Sequence, residues 1–402
     1  FSRYAISSCV AAALLAACGG SQPPVVAPGA AMPQGRASSG YSILHSFGKR
    51  SSDGAEPKAA LIDVNGTLYG TTYGGGKYGA GTVFGISTSG SENVLYSFNT
   101  VTKNDDGANP SAGLLAVNSL LYGTTEYGGS KAQFGTVFRV STTGREKVLH
   151  RFIGYYSRDR YDGANPIASL IDVRGRLYGT TYHGGANQSN GTVFKMSTSG
   201  REKVLHSFSV YGDGGYPAAN LLNVKGTLYG TTEDGGTLSG EGGGTVFSIT
   251  TTGTEKVLYG FVYEGSDGNF PATALSSVHG LLYGTTAESG DDDGGTAFGI
   301  TTSGNLTNLH YFGSSGDGNR PVAPLLNVNG TLYGTTAQGG LYGKGTVFKM
   351  SLSGTEKVLH SFGYGSDGAT PLAGLTDVNG TLYGTTSAGG TYVDGTVFAL
   401  KL

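Results

Sequence analysis

The stretch Leu68-Tyr-Gly-Thr-Thr72, followed by Gly81-Thr-Val-Phe84, Val94-Leu-Tyr-Ser-Phe98 and Asp106-Gly-Ala-Asn-Pro110, decides the fold, because it returns along the whole chain. Leu-Tyr-Gly-Thr-Thr begins at Leu68, Leu121, Leu177, Leu228, Leu282, Leu332 and Leu382, with spacings of 53, 56, 51, 54, 50 and 50 residues. Gly-Thr-Val-Phe begins at Gly81, Gly135, Gly191, Gly244, Gly345 and Gly395, with Gly-Thr-Ala-Phe at Gly295. Asp-Gly-x-x-Pro begins at Asp53, Asp106, Asp162, Asp213, Asp267, Asp317 and Asp367. The Val-Leu-His-Ser-Phe pattern begins at Ile43, Val94, Val148, Val204, Val257, Asn308 and Val358. A fixed period of this length marks a repeat architecture.

Each unit reads as four short strands. Ala60–Val64 turns at Asn65-Gly66, a hairpin signal, into Thr67–Thr72. After a Gly-rich loop come Gly81–Thr88, a turn at Ser89-Gly90, and Asn93–Phe98. Four antiparallel strands in about 50 residues, seven times over, predict an all-β, seven-bladed β-propeller. A β-solenoid is the competing arrangement, but its coils lack three tight hairpins per repeat. The chain ends on a third strand, Gly395–Leu402, and the first strand, Ile43–Phe47, belongs to the fourth class. The N-terminal strand is therefore expected to complete the last blade, a velcro closure that removes exposed edges. The axis should be lined by the small residues Ala60, Gly113, Ser169, Asn220, Ala274, Pro324 and Gly374.

Composition agrees. Of 402 residues 72 are Gly, Trp is absent, and Tyr (25) and Phe (17) are plentiful. So much Gly disfavours long helices, and Gly does not recur every third residue as in collagen. With 26 basic and 28 acidic residues the net charge is −2, which excludes a broad basic surface for nucleic acid. The two cysteines, Cys9 and Cys18, lie in the leader, so no internal disulfide is expected in the repeats.

The leader carries Arg3 before the apolar run Val10–Ala17, which is too short to span a bilayer and fits a secretory h-region. The sequence starts without Met, so residues preceding Phe1 are expected. Leu15-Ala16-Ala17-Cys18 resembles a bacterial lipobox and predicts lipidation at Cys18. The expected organisation is a signal peptide at 1–18, a Pro/Gly/Ala/Ser tether at 19–40, and the propeller at 41–402. The protein is then exported and lipid-anchored, monomeric, touching the membrane only through Cys18.

The combined motifs resemble the GloVer (Gloeo/Verruco) tandem repeat of bacterial extracellular proteins, and more distantly the kelch propellers with their paired glycines. The resemblance spans 41–402. It implies a secreted propeller with varied anchoring devices and carries over no catalytic residue. The fifth unit departs from the pattern: Ser289-Gly290 replaces Gly-Gly, Ala297 replaces Val, and Gly304-Asn305-Leu306 replaces Gly-x-Glu.

Features present in every unit read as structural. The motif Phe residues are expected to pack between blades. The Asp of Asp-Gly-x-x-Pro is expected to accept backbone N–H bonds, with Gly allowing positive φ and Pro fixing the exit. His45, His150, His206, His310 and His360 share one strand position with Tyr96 and Tyr259. That interchange points to a half-buried polar aromatic and not to a metal ligand, so no metal or cofactor is expected.

The irregular loops hold the candidate binding residues on one face: Tyr73, Glu126, Tyr127, His183, Glu233, Asp234, Glu288 and Gln338. The long crossing loop 153–161 adds Tyr156, Arg158, Arg160 and Tyr161, which suit stacking and forked hydrogen bonds. Glu288 with Asp291-Asp292-Asp293 is rich in oxygen ligands but lacks calcium-loop spacing. No catalytic residue is assigned, because no Ser-His-Asp, metal-ligand or phosphate-loop signature occurs. The expected function is a rigid binding scaffold for a protein or glycan. The alternative is a polysaccharide hydrolase or lyase using loop carboxylates.

Overall fold

A computed structural model describes residues 40–100, 105–129, 133–154, 162–186, 189–237 and 242–402. Cys18 and the loop residues Tyr156, Arg158, Arg160 and Tyr161 lie outside the described residues.

Seven four-stranded antiparallel sheets form the blades of a ring. In the first blade Ile62–Val64 is innermost, followed by Thr67–Thr72, Thr82–Ser87 and Glu92–Ser97. The turn between the first two has φ of 54° at Asn65 and 83° at Gly66. Positive φ at both central residues matches the twist of a two-residue hairpin, which is why Asn-Gly suits it. The seventh blade is completed across the chain: Tyr41–Ser46 pairs antiparallel with Thr396–Lys401, placing Tyr41 opposite Leu400.

The core lies between blades, in seven apolar clusters. At each junction the Phe ending an outer strand meets the Gly-Thr-Val-Phe ring of the next blade. Phe98 and Phe138, for example, have centroids 5.1 Å apart at 74°. Phe47 closes the series against Phe84 at 5.2 Å and 69°. Both rings are fully buried. Each burial is worth roughly 1.5–3 kcal/mol, and the edge-to-face contact adds about 1 kcal/mol.

The same ring explains the glycine of Leu-Tyr-Gly-Thr-Thr. Gly334 stands opposite Phe348, and a Cβ there would fall 2.5 Å from the ring's Cζ. The small axial residues meet as expected. Ser169 N–H donates to Asn220 Oδ1 at 2.6 Å, and a Cβ on Gly374 would come 2.8 Å from Pro324.

The crossing turn corrects the expectation for its glycine. Positive φ occurs at Gly214 (95°) and Gly268 (87°), but not at Gly54, Gly107, Gly163, Gly318 or Gly368. In those five the glycine N–H donates to the preceding aspartate, 2.9 Å for Gly54 to Asp53. What forbids a side chain is Thr72 and its equivalents: a Cβ on Gly54 would lie 2.4 Å from Thr72 Cγ2. The left-handed residue is the one before proline. Glu56, Asn109, Asn165, Tyr216, Phe270, Arg320 and Thr370 have φ between 53° and 60°. A residue preceding proline ordinarily favours extended backbone, and a left-handed one costs about 1 kcal/mol. Two backbone hydrogen bonds offset that cost. Tyr216 N–H donates to Asn190 O in the preceding blade (2.8 Å), and Tyr216 O accepts from Glu233 N–H (3.2 Å).

Candidate functional site

Every Leu-Tyr-Gly-Thr-Thr strand is followed by one residue whose N–H donates to the left-handed pre-proline residue of its own blade. Around the ring this residue is Tyr73, Glu126, Tyr182, Glu233, Ala287, Ala337 and Ser387. The backbone is sevenfold and the side chains are not. Blades one to four carry Tyr and Glu alternately, whereas blades five to seven carry small residues.

Adjacent Tyr and Glu residues pair. Tyr182 donates its hydroxyl to Glu233 Oε2 at 2.7 Å. Tyr182 also lies 5.3 Å from Tyr216 and 4.8 Å from His183, ring to ring, and His183 lies 5.5 Å from Tyr216. Burial pushes Glu233 up to about 7; the Tyr182 hydrogen bond opposes the shift and the Asp234 charge reinforces it. Burial also raises Asp234, which accepts Gly235 N–H at 2.7 Å, and lowers His183.

The second group surrounds Glu126. Burial raises its carboxyl, while the hydroxyls of Tyr127 and Tyr73 and the Lys58 charge pull it back. Tyr127 is itself raised to about 12, first by burial and then by Glu126. Lys58 Nζ sits 3.4 Å from the Tyr73 ring centroid and 3.4 Å from Glu56 Oε2. A cation over a tyrosine face is attracted by the ring's quadrupole.

The remaining candidates stand apart. Glu288 is exposed and lies 3.7 Å from Arg320. Gln338 is exposed on the small-residue arc. Asp291, Asp292 and Asp293 are exposed, and Asp292 Oδ2 accepts the Ser314 hydroxyl at 2.8 Å. Among the described residues they do not converge with Glu288 into a metal-ligand group. Tyr216 and Lys58 were not singled out in the sequence. Their signal is their place on either side of the crossing-turn proline, where residues vary freely while the turn around them repeats.

The outer rim holds a second, nearly sevenfold arrangement. The strand His or Tyr meets the aspartate of the crossing turn: His206 Nε2 lies 2.7 Å from Asp213 Oδ2, and Tyr96 donates to Asp106 Oδ2 at 2.7 Å. Apart from His360, which is buried, these are the half-buried polar aromatics expected from the His/Tyr interchange. At four junctions the next blade adds a glutamate, giving His45–Asp53–Glu92, His150–Asp162–Glu202, His206–Asp213–Glu255 and His310–Asp317–Glu356. Burial raises Glu92, and raises Glu202, Glu255 and Glu356 to about 7.

Comparison with known proteins agrees with this architecture. The Gloeobacter/Verrucomicrobia repeat matches residues 29–241, 102–295 and 238–402. The chain belongs to that repeat family. No curated protein matches the chain. Among solved structures, a Mycobacterium tuberculosis puromycin-hydrolyzing peptidase is similar at 12% identity and TM-score 0.54, covering 85% of this chain and 50% of that one. A puromycin hydrolase is similar at 12% identity and TM-score 0.51, covering 83% and 50%. The endosialidase of phage phi92 gives 11% identity and TM-score 0.45, covering 87% and 67%. At such identities the likeness to the first two concerns the fold alone.

Proposed function

We propose that this member of the repeat family is a binding scaffold, exported and held to a bacterial membrane by a lipidated Cys18, that presents its loop face to an extracellular glycan. The carrying observation is the broken symmetry of one position: Tyr73, Glu126, Tyr182 and Glu233 on one arc, Ala287, Ala337 and Ser387 on the other. Tilted tyrosine faces flanking partly exposed carboxyl groups match a polyhydroxylated ligand. Rings cover sugar C–H faces, and carboxyls exchange hydrogen bonds with hydroxyls. Raised carboxyls are less anionic near neutral pH, which suits an uncharged ligand better than an acidic one.

The test is a glycan array with a peptide array in parallel. Saturable glycan binding without turnover, weakened at least tenfold by Tyr182→Ala, supports the reading. Peptide capture alone, or product release that Glu233→Gln abolishes, overturns it. Labelling with radioactive palmitate, lost in Cys18→Ser, tests the anchor separately.

A further inference from the structure

We propose that the four His–Asp–Glu triads at the outer rim are binding sites for a divalent transition-metal ion such as Zn²⁺. Each triad offers one imidazole nitrogen and two carboxylate oxygens, all within 4.8 Å of one another. Ligands of a tetrahedral zinc stand about 3–4 Å apart, so modest side-chain adjustment brings them into range. One imidazole with two carboxylates is a donor set that borderline divalent ions accept. Once both carboxyl groups are ionised they carry two negative charges, which one divalent ion neutralises.

The glutamates supply the independent observation. In all four triads Oε1 is buried and has no hydrogen-bond partner. A buried carboxylate oxygen without a partner is costly, and a cation held between it and the imidazole offsets that cost. The aspartate is positioned by the backbone; Asp213 Oδ1, for instance, accepts Ser209 N–H at 2.7 Å. The histidines keep a path to solvent, since the His206 and His310 side chains are 20% and 22% exposed.

The other three junctions are internal controls. One has Tyr96 in place of histidine. Another has Tyr259 with Leu306, so imidazole and glutamate are lost together. The third has Tyr41 where the glutamate would be; its ring stacks on His360 at 3.8 Å, and the His360 side chain is 5% exposed. The first triad should bind most weakly, because Lys49 and Arg50 share its cleft.

The experiment is equilibrium dialysis of tag-free, chelator-stripped protein against Zn²⁺ alone, with metal analysis. Three tight equivalents and a weaker fourth are expected. The double substitution His206→Tyr with Glu255→Leu should remove one equivalent. It installs the pair that Tyr259 and Leu306 already form, so the fold tolerates it, which circular dichroism checks. Retained uptake after His183→Ala, and after His279→Ala in the turn between Ser276–Val278 and Leu281–Thr286, separates the triads from the other histidines. Fewer than three equivalents, or uptake that the double substitution leaves unchanged, overturns the proposal; the glutamates then hold protons and no metal.

Discussion

Replacing Glu233 by Gln should make the protein more stable at pH 8 and leave it nearly unchanged at pH 4. Burial raises this carboxyl from its usual 4.5 to about 7. An acid with a raised folded pKa binds more protons folded than unfolded between those two values. Stability therefore falls as pH rises from about 4.5 to about 7. Below the window both states are protonated and the group contributes nothing; above it the full penalty applies. Two and a half units correspond to about 3 kcal/mol at most, reduced where solvent reaches the carboxyl. Gln keeps the shape and the acceptor for the Tyr182 hydroxyl but carries no charge. Urea unfolding of both proteins from pH 4 to 8 should give curves that separate across the window and run parallel above it. Tyr182→Phe removes a hydrogen bond to the charged form and should widen the separation. A Glu233→Gln protein that is equally or less stable at pH 8, or a difference independent of pH, refutes the burial argument.

Gly334→Ala should destabilise by about 2–3 kcal/mol, because the new methyl meets the Phe348 ring. Phe348→Leu costs about 1–2 kcal/mol alone but makes room, so thermal unfolding of the double variant should show at least about 1 kcal/mol of coupling; strictly additive values would contradict the contact. Deleting residues 1–47 removes the strand paired with Thr396–Lys401 and the buried Phe47. Size-exclusion chromatography should then show self-association, reversed by a peptide spanning residues 40–48; a monodisperse, equally stable truncation would refute the role of that pairing.

The fold was legible because every strand, turn and core position is written seven times, so the copies correct one another. One aromatic residue in one unit says little about packing. Phe84, Phe138, Phe194, Phe247, Phe298, Phe348 and Phe398 at a single position say that the position is always buried. The small axial residues and the aspartate of the crossing turn were legible for the same reason.

The loop face was legible only as a set of irregular residues. Tyr182 and Glu233 are 51 positions apart, and nothing local says that their blades bring hydroxyl and carboxyl to 2.7 Å. The rim triads were hidden in the same way: His206 and Asp213 are close in sequence, but Glu255 arrives from the next blade. The left-handed pre-proline residues ran against a local rule, since proline pushes its predecessor towards extended backbone. Hydrogen bonds to two different blades override that preference, and they exist only once the blades have met.

Those seven pre-proline positions have a consequence for how such a face can diversify. Main-chain atoms make the joint at all seven, and among the described residues only Asn109 and Asn165 add a side-chain bond to the main chain, to Tyr73 O and Glu126 O at 3.0 and 3.1 Å, so the frame asks little of the side chain. Glu56, Asn109, Tyr216, Phe270, Arg320 and Thr370 all occupy the same kind of socket. A new ligand preference can therefore arise by exchanging residues slot by slot, with the wheel beneath left as it was.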